Sequence, residues 1–208
     1  MKFHERCGKS ISFSKTRDCA ERKEGYDNGI VFSCKPLKKS QIFEVKIDAI
    51  EEKWAGSIRL GVTTADPNDL PYFRTVTDIH SSSEHNSMFW VCCGSKLFHG
   101  SQEFAINKSL YGLSGVSDII GIQVRQNGQM HTYKNGVHVE NVAEGLPVDV
   151  DLYVIVDIYG AVTKVSCLQD KVLSLKEHSR RVIQNIIKDE NDIDDLNIPK
   201  VLKVFLKL

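Results

Sequence analysis

No apolar run in these 208 residues approaches the about 18 to 20 that a membrane helix needs, so no membrane span is predicted. There is no charge excess of either sign: 27 Lys+Arg balance 27 Asp+Glu. A chain built for nucleic acid or an anionic surface carries a basic surplus, so those partners are excluded as its main business. No fixed-period repeat is visible, which rules out solenoids and propellers. The first six residues, Met1 to Arg6, hold no apolar h-region, so no secretory signal is expected there. The six cysteines, at 7, 19, 34, 92, 93 and 167, include no C-x-x-C pair. Without an export signal they read as free thiols, mostly buried, and the expected compartment is cytoplasmic. Asn107-Lys108-Ser109 then stays a silent glycosylation acceptor.

What is present is alternation. Phe43, Val45, Ile47 and Ala49 interleave with Glu44, Lys46 and Asp48, a period of two that places apolar side chains on one sheet face. Ile58, Leu60 and Val62 repeat this against Ser57, Arg59 and Gly61, after a charged turn carrying Trp54. Further strands are predicted over 11–13, 29–33, 89–93, 119–124, 130–134, 152–158 and 162–168. Asn127-Gly128 and Asn135-Gly136 are hairpin-turn dipeptides, and Tyr159-Gly160 separates the last two strands. Short strands with this punctuation predict an antiparallel β-sandwich, mainly β, over residues 1–170. The connection from Asp66 to Ser87 is long for a compact domain, which marks it as functional or disordered.

After about residue 170 the period changes. Leu175, Ser179, Val182, Ile183, Ile186 and Ile187 share one helical face, and Ser174 with Glu177 forms a capping-box sequence. Residues 188–195 read as a polar, acidic break. Pro199 then suits the first turn of a second helix carrying Leu202, Phe205 and Leu206. Residues 171–208 are too few to hold a core of their own, so these faces need the sandwich or another protein.

Sites of chemistry are scarce. Cys7-Gly8-Lys9-Ser10 ends like a phosphate loop, but Phe3 stands where its first glycine belongs and no strand is expected before it. His80 and His85 could join Cys92 or Cys93 at a zinc, but a polar loop before a strand explains them as well. No nucleophile motif occurs, so no catalysis, metal or cofactor is expected. Trp90 reads as core. Trp54 divides evenly between packed and exposed roles, and with Tyr72 and Phe73 it is a candidate for holding a partner.

Several ordered landmarks coincide with one family. They are Phe3-His4, Gly8-Lys9, Ala20-x-Arg22, Asn28 to Ser33, Pro36-Leu37, Phe43 to Asp48 and Trp54 to Thr63. Gly121, Met130-His131-x-Tyr133-x-Asn135-Gly136, Gly145-Leu146-Pro147 and Val156 to Gly160 follow. Over most of residues 3–168 the chain resembles a neuralized homology repeat, which implies a SPRY-like sandwich that binds other proteins. The tail is similar to a SOCS box. That resemblance implies Elongin B–Elongin C as partner through Leu175, Ser179, Val182 and Ile183. It also implies a cullin, of the cullin-five type, with its RING partner, through Leu196, Ile198, Pro199, Leu202 and Leu206. Departures from the pattern are His178 for leucine, Ser179 for cysteine, and Asn197 where proline is frequent. The paired cysteines of a RING are absent, so direct recruitment of an E2 is not expected. The implied role is a non-catalytic substrate receptor of a ubiquitin ligase, acting on an unnamed protein. A plain scaffold with its tail packed on its own domain, and a sugar-binding sandwich, are the competing readings.

Overall fold

The computed structural model describes residues 2–38, 40–107, 115–168 and 192–207. The chain divides into two units, Met1–Asp170 and Lys171–Leu208. In the first, two antiparallel sheets of seven strands face each other. One runs, in spatial order, β1 (Phe3–Cys7), β4 (Ile30–Ser33), β13 (Tyr153–Asp157), β6 (Arg59–Thr63), β7 (Phe89–Cys93), β8 (Lys96–His99) and β9 (Gln102–Ala105). The other runs β12 (Val137–Ala143), β11 (Met130–Lys134), β10 (Ile119–Val124), β5 (Ile42–Ile50), β14 (Val162–Cys167), β3 (Cys19–Arg22) and β2 (Ile11–Phe13).

The alternating side chains of β5 and β10 meet those of β6 and β13 between the sheets. Phe43, Val45, Ile47, Leu60, Val62, Ile120, Ile122, Val154 and Val156 are all fully buried there. This is the core that period two predicts, and each such side chain contributes about 1.5–3 kcal/mol.

On the first sheet the one-sided pattern fails. Every residue of β4 and β6 is buried. The cause is the connection between β6 and β7, which folds as a strap across the outer face. Its Leu70, Val76 and Ile79 cover Ile30, Phe32, Phe89, Val91 and Ile155 in a second, smaller core. The strap contains helix α1 (Val76–Ser81) and a 3-10 turn at Asn86–Met88, where sequence reading expects only loop. Thr75 caps α1: its hydroxyl accepts from the Asp78 N–H at 3.3 Å, and the Asp78 carboxylate accepts from the Thr75 N–H at 3.0 Å. Arg59, predicted to face solvent, is buried beneath this strap.

Strands β8, β9 and β12 also lie outside the sequence expectations. Strand β9 is an edge strand with all four residues exposed, so it has no apolar face to betray it. Register shifts against β11 break the alternation of β12. The two hairpin dipeptides differ: Asn135 and Gly136 both adopt positive φ, whereas in the other only Gly128 does. Gly61 permits close packing of β6 on β7, since a Cβ there would lie 2.1 Å from the Trp90 carbonyl oxygen.

The second unit contributes α2 (Asp192–Asp195) and α3 (Lys200–Lys207). Helix α2 falls inside the stretch expected to be a polar break, and its Ile193 is buried. Pro199 immediately precedes α3 and accepts from the N–H groups of Leu202 and Lys203 at 2.9 and 3.3 Å. Leu206 is buried, but Val201, Leu202 and Val204 are exposed. Leu196 and Ile198 are half-buried, and Pro199 is exposed. The first predicted helix lies outside the described residues, and so do Leu175, Ser179, Val182 and Ile183.

Candidate functional site

Five loops converge at the end of the sandwich where β5 finishes: residues 8–10, 23–29, 51–58, 71–75 and 159–160. Their meeting point is organised by Arg22. This buried guanidinium donates to the carbonyls of Ile158 and Val162, each at 2.9 Å, and to that of Gly160. It thereby fixes the turn that presents Tyr159. The Gly160 N–H donates to the Tyr26 carbonyl at 2.9 Å, tying that turn to the 23–29 loop.

An aromatic chain results. Trp54 lies 5.3 Å from Tyr26, and Tyr26 meets Tyr159 edge-on at 5.9 Å. The Arg59 guanidinium sits 3.6 Å from the Tyr159 ring centre. Arg59 in turn donates to Asp157 Oδ2 at 3.1 Å, and the Val76 N–H at the start of α1 donates to the same oxygen at 3.3 Å. Asp157 is fully buried, with Oδ1 lacking any hydrogen bond. That burial pushes its carboxyl up from 3.8 to about 6, against the opposing pull of Arg59 and the Val76 N–H. On the exposed side, Lys53 lies 5.6 Å above Trp54 and its ammonium holds the Glu51 carboxyl below the usual range.

The strap joins the same rim. Arg74 pairs with Asp27 at 2.6 Å. The Tyr72 hydroxyl donates to the Asn28 side chain and accepts from the Lys9 N–H at 3.1 Å, with the Lys9 ammonium 4.6 Å from its ring centre. Of the three partner-binding candidates read from sequence, Trp54 and Tyr72 therefore share one rim, bridged by residues 26–28. Phe73 turns inward, against His85 at 5.6 Å and Phe89 at 6.3 Å. Sequence reading misses Tyr26, which is 40% exposed, and Tyr159. The signal lay in Gly25-Tyr26-Asp27-Asn28 and Tyr159-Gly160, where an aromatic stands inside a tight turn.

A sandwich with a loop-built rim of this kind is matched by a family model named Neuralized over residues 3–169. The chain belongs to the Neuralized family. It is 28% identical to Neuralized-like protein 2 of Mus musculus, over 99% of this chain and 91% of that one. It is 24% identical to the human E3 ubiquitin-protein ligase NEURL3, over 81% of this chain and 59% of that protein. The crystal structure of the Drosophila melanogaster neuralized NHR1 domain superposes with a TM-score of 0.65 at 24% identity, covering 80% of this chain and 96% of the other. The fold of the Neuralized unit is SPRY-like.

Among the described residues no group of three or more His, Cys, Asp or Glu could hold a metal. His80 Nδ1 lies 3.0 Å from the Gly100 carbonyl and His85 Nδ1 lies 3.2 Å from Ser82 Oγ, each in a separate local contact. Trp90 is buried and stacks on His99 at 4.2 Å, as a core tryptophan should. Contrary to the sequence expectation a strand, β1, does precede Gly8 and Lys9, but they lie in the turn to β2, with a strand rather than the helix of a phosphate loop following. No disulfide joins the described cysteines, and burial pushes the thiols of Cys7, Cys19, Cys92 and Cys93 up, away from reactive thiolate. No described helix is long and apolar enough to cross a membrane.

Proposed function

We propose that this chain is the substrate-recognition subunit of an Elongin B–Elongin C–cullin–RING ubiquitin ligase, working in the cytoplasm and carrying no catalytic group. Residues 1–170 hold the target protein and residues 171–208 form the SOCS box. The observation that carries this reading is the pairing of a Neuralized sandwich with a tail in SOCS-box order, from Ser174-Leu175 to Leu196-Asn197-Ile198-Pro199 and Leu202. A relative named as an E3 ubiquitin-protein ligase supports the pathway. The exposed Val201, Leu202 and Val204 on α3 support the cullin role, since exposed apolar side chains on one short helix suit an interface. The rim supports target binding: Tyr26, Trp54 and Tyr72 are large, partly exposed anchors pre-positioned by buried contacts.

Co-purification tests the assembly. The wild-type chain is expected to bring down Elongin B–Elongin C and a cullin. Pro199→Ala with Leu202→Ala is expected to retain Elongin and lose most of the cullin. Absence of Elongin C at micromolar concentration would leave a scaffold. For the target site, proximity labelling with the proteasome blocked should identify proteins whose labelling falls about tenfold or more with Tyr26→Ala and Trp54→Ala combined. Unchanged labelling would move target binding away from the rim.

A further inference from the structure

The two ends of the sandwich core are closed differently. At the rim, Arg22 and the aromatic chain stopper it. At the opposite end, where β5 begins and β10 finishes, a cavity of about 330 Å³ opens between the sheets. Protein interiors leave few voids larger than a water molecule, and ligand sites start at about 300 Å³. The walls include Leu37 from the β4–β5 connection and Val148 and Val150 from the segment before β13. Leu37 belongs to the main core, yet Val150 on the lip is 51% exposed. The apolar wall therefore runs from the interior out onto the surface.

The lip carries charges of both signs. Lys38 and Arg125 stand on it, both exposed, and neither has an ion-pair partner among the described residues. The only side-chain hydrogen bond of Arg125 among those residues is a long one, Nε to Gln123 Oε1 at 3.4 Å. Asp151 occupies the lip beside Val150. A ligand carboxylate is thus attracted toward Lys38 and Arg125 and repelled from Asp151, which fixes its orientation.

We propose that this open end is a second peptide-docking site, taking a partner segment in which a leucine- or valine-sized side chain sits beside an acidic residue. The apolar side chain enters between Leu37 and Val148, the carboxylate meets Lys38 and Arg125, and the backbone continues across Val150. That continuation favours a peptide over a free amphiphile, which would leave the Val150 wall uncovered. The site rests on the reading of the sandwich as a protein-binding module, at the end remote from Trp54.

The test is NMR titration of the 15N-labelled full chain with acetyl-GELEG-amide, its charge-reversed counterpart acetyl-GKLKG-amide, and octanoate. Saturable shifts at Lys38, Val124, Arg125 and Asp151 with the acidic peptide are expected, with at least about tenfold weaker binding of the basic one. Lys38→Glu with Arg125→Glu, both exposed and outside the core, should invert that preference. Asp151→Asn should tighten the acidic peptide. No saturable shift at about 1 mM peptide, equal binding of both peptides, or indifference to the charge reversal would overturn the proposal. Tighter binding of octanoate than of the acidic peptide would overturn it too, making the cavity a site for small carboxylates. Target labelling lost with Trp54→Ala is read at the other end, so a silent cavity defeats this proposal alone.

Discussion

Arg59→Ala is expected to destabilise the sandwich by about 3–5 kcal/mol at neutral pH, because it strands a buried carboxylate without its cation. Asp157 has Arg59, the Val76 N–H and the more distant charge of Arg22 to offset its burial, and one of its oxygens is already unpartnered. The loss should depend on pH with a definite sign. The folded-state pKa of Asp157 lies near 6, above its value of 3.8 in an unfolded chain. Its contribution to stability is therefore complete below about pH 4 and is lost as pH rises through about 6, by about 3 kcal/mol in all. Urea unfolding between about pH 7.5 and about pH 5 should show the Arg59→Ala penalty shrinking as Asp157 takes up its proton. Asp157→Asn cannot titrate, so the wild type should gain on that variant over the same range. A penalty that does not change with pH would mean that Asp157 does not titrate in this range. Arg59→Ala also removes the cation behind Tyr159, so target labelling should fall even under conditions where the variant is folded.

Leu175→Ala is expected to abolish most Elongin B–Elongin C capture while leaving the Neuralized sandwich folded. By the SOCS-box resemblance Leu175 would fill the Elongin C pocket, and in the helix that the sequence pattern predicts Ile183 would lie eight residues on, just over two turns, so that both could face one partner. Truncating a central apolar anchor often costs 2 kcal/mol or more, a loss of about thirtyfold. Ser179→Cys should be neutral or strengthen capture, since it restores the less polar residue of the family pattern. Pull-down at matched concentrations, with circular dichroism to check the sheet, reads both. Wild-type binding preserved in Leu175→Ala would remove Leu175 from the interface.

The main core was legible because Phe43, Val45, Ile47 and Ala49 of β5 alternate with Glu44, Lys46 and Asp48, and alternation survives wherever one face is wet. The strap was not. Its effect is to bury both faces of β4 and β6, and a doubly buried strand loses the period on which reading depends. Arg59 illustrates the error: in a period-two pattern a charge reads as solvent-facing, whereas its partner Asp157 lies 98 residues away in sequence. The Thr75 and Asp78 capping pair went unread, because only a six-residue helix stands behind it. The rim was half legible. Trp54 stood out as a rare residue in a turn, while Tyr26 and Tyr159 gain meaning only when three loops are brought together by Arg22. The edge strand β9 carried no signal, because nothing about it is buried.

The order of strands has a consequence in time. Strand β13 lies between β4 and β6, and β14 lies between β5 and β3. The last two strands of the sandwich, one in each sheet, are thus interior strands that join the parts of both sheets. Until it is synthesised, one sheet is β1-β4 apart from β6 to β9, and the other is β2-β3 apart from β5 and β10 to β12. A chain growing from its N-terminus holds these four fragments open, with unpaired inner edges, until about residue 167 is made. Then β13 and β14 close both gaps together, through contacts that span most of the chain. Such closure is slow for its size and late on the ribosome, so the nascent protein should be a client of holding chaperones up to that point.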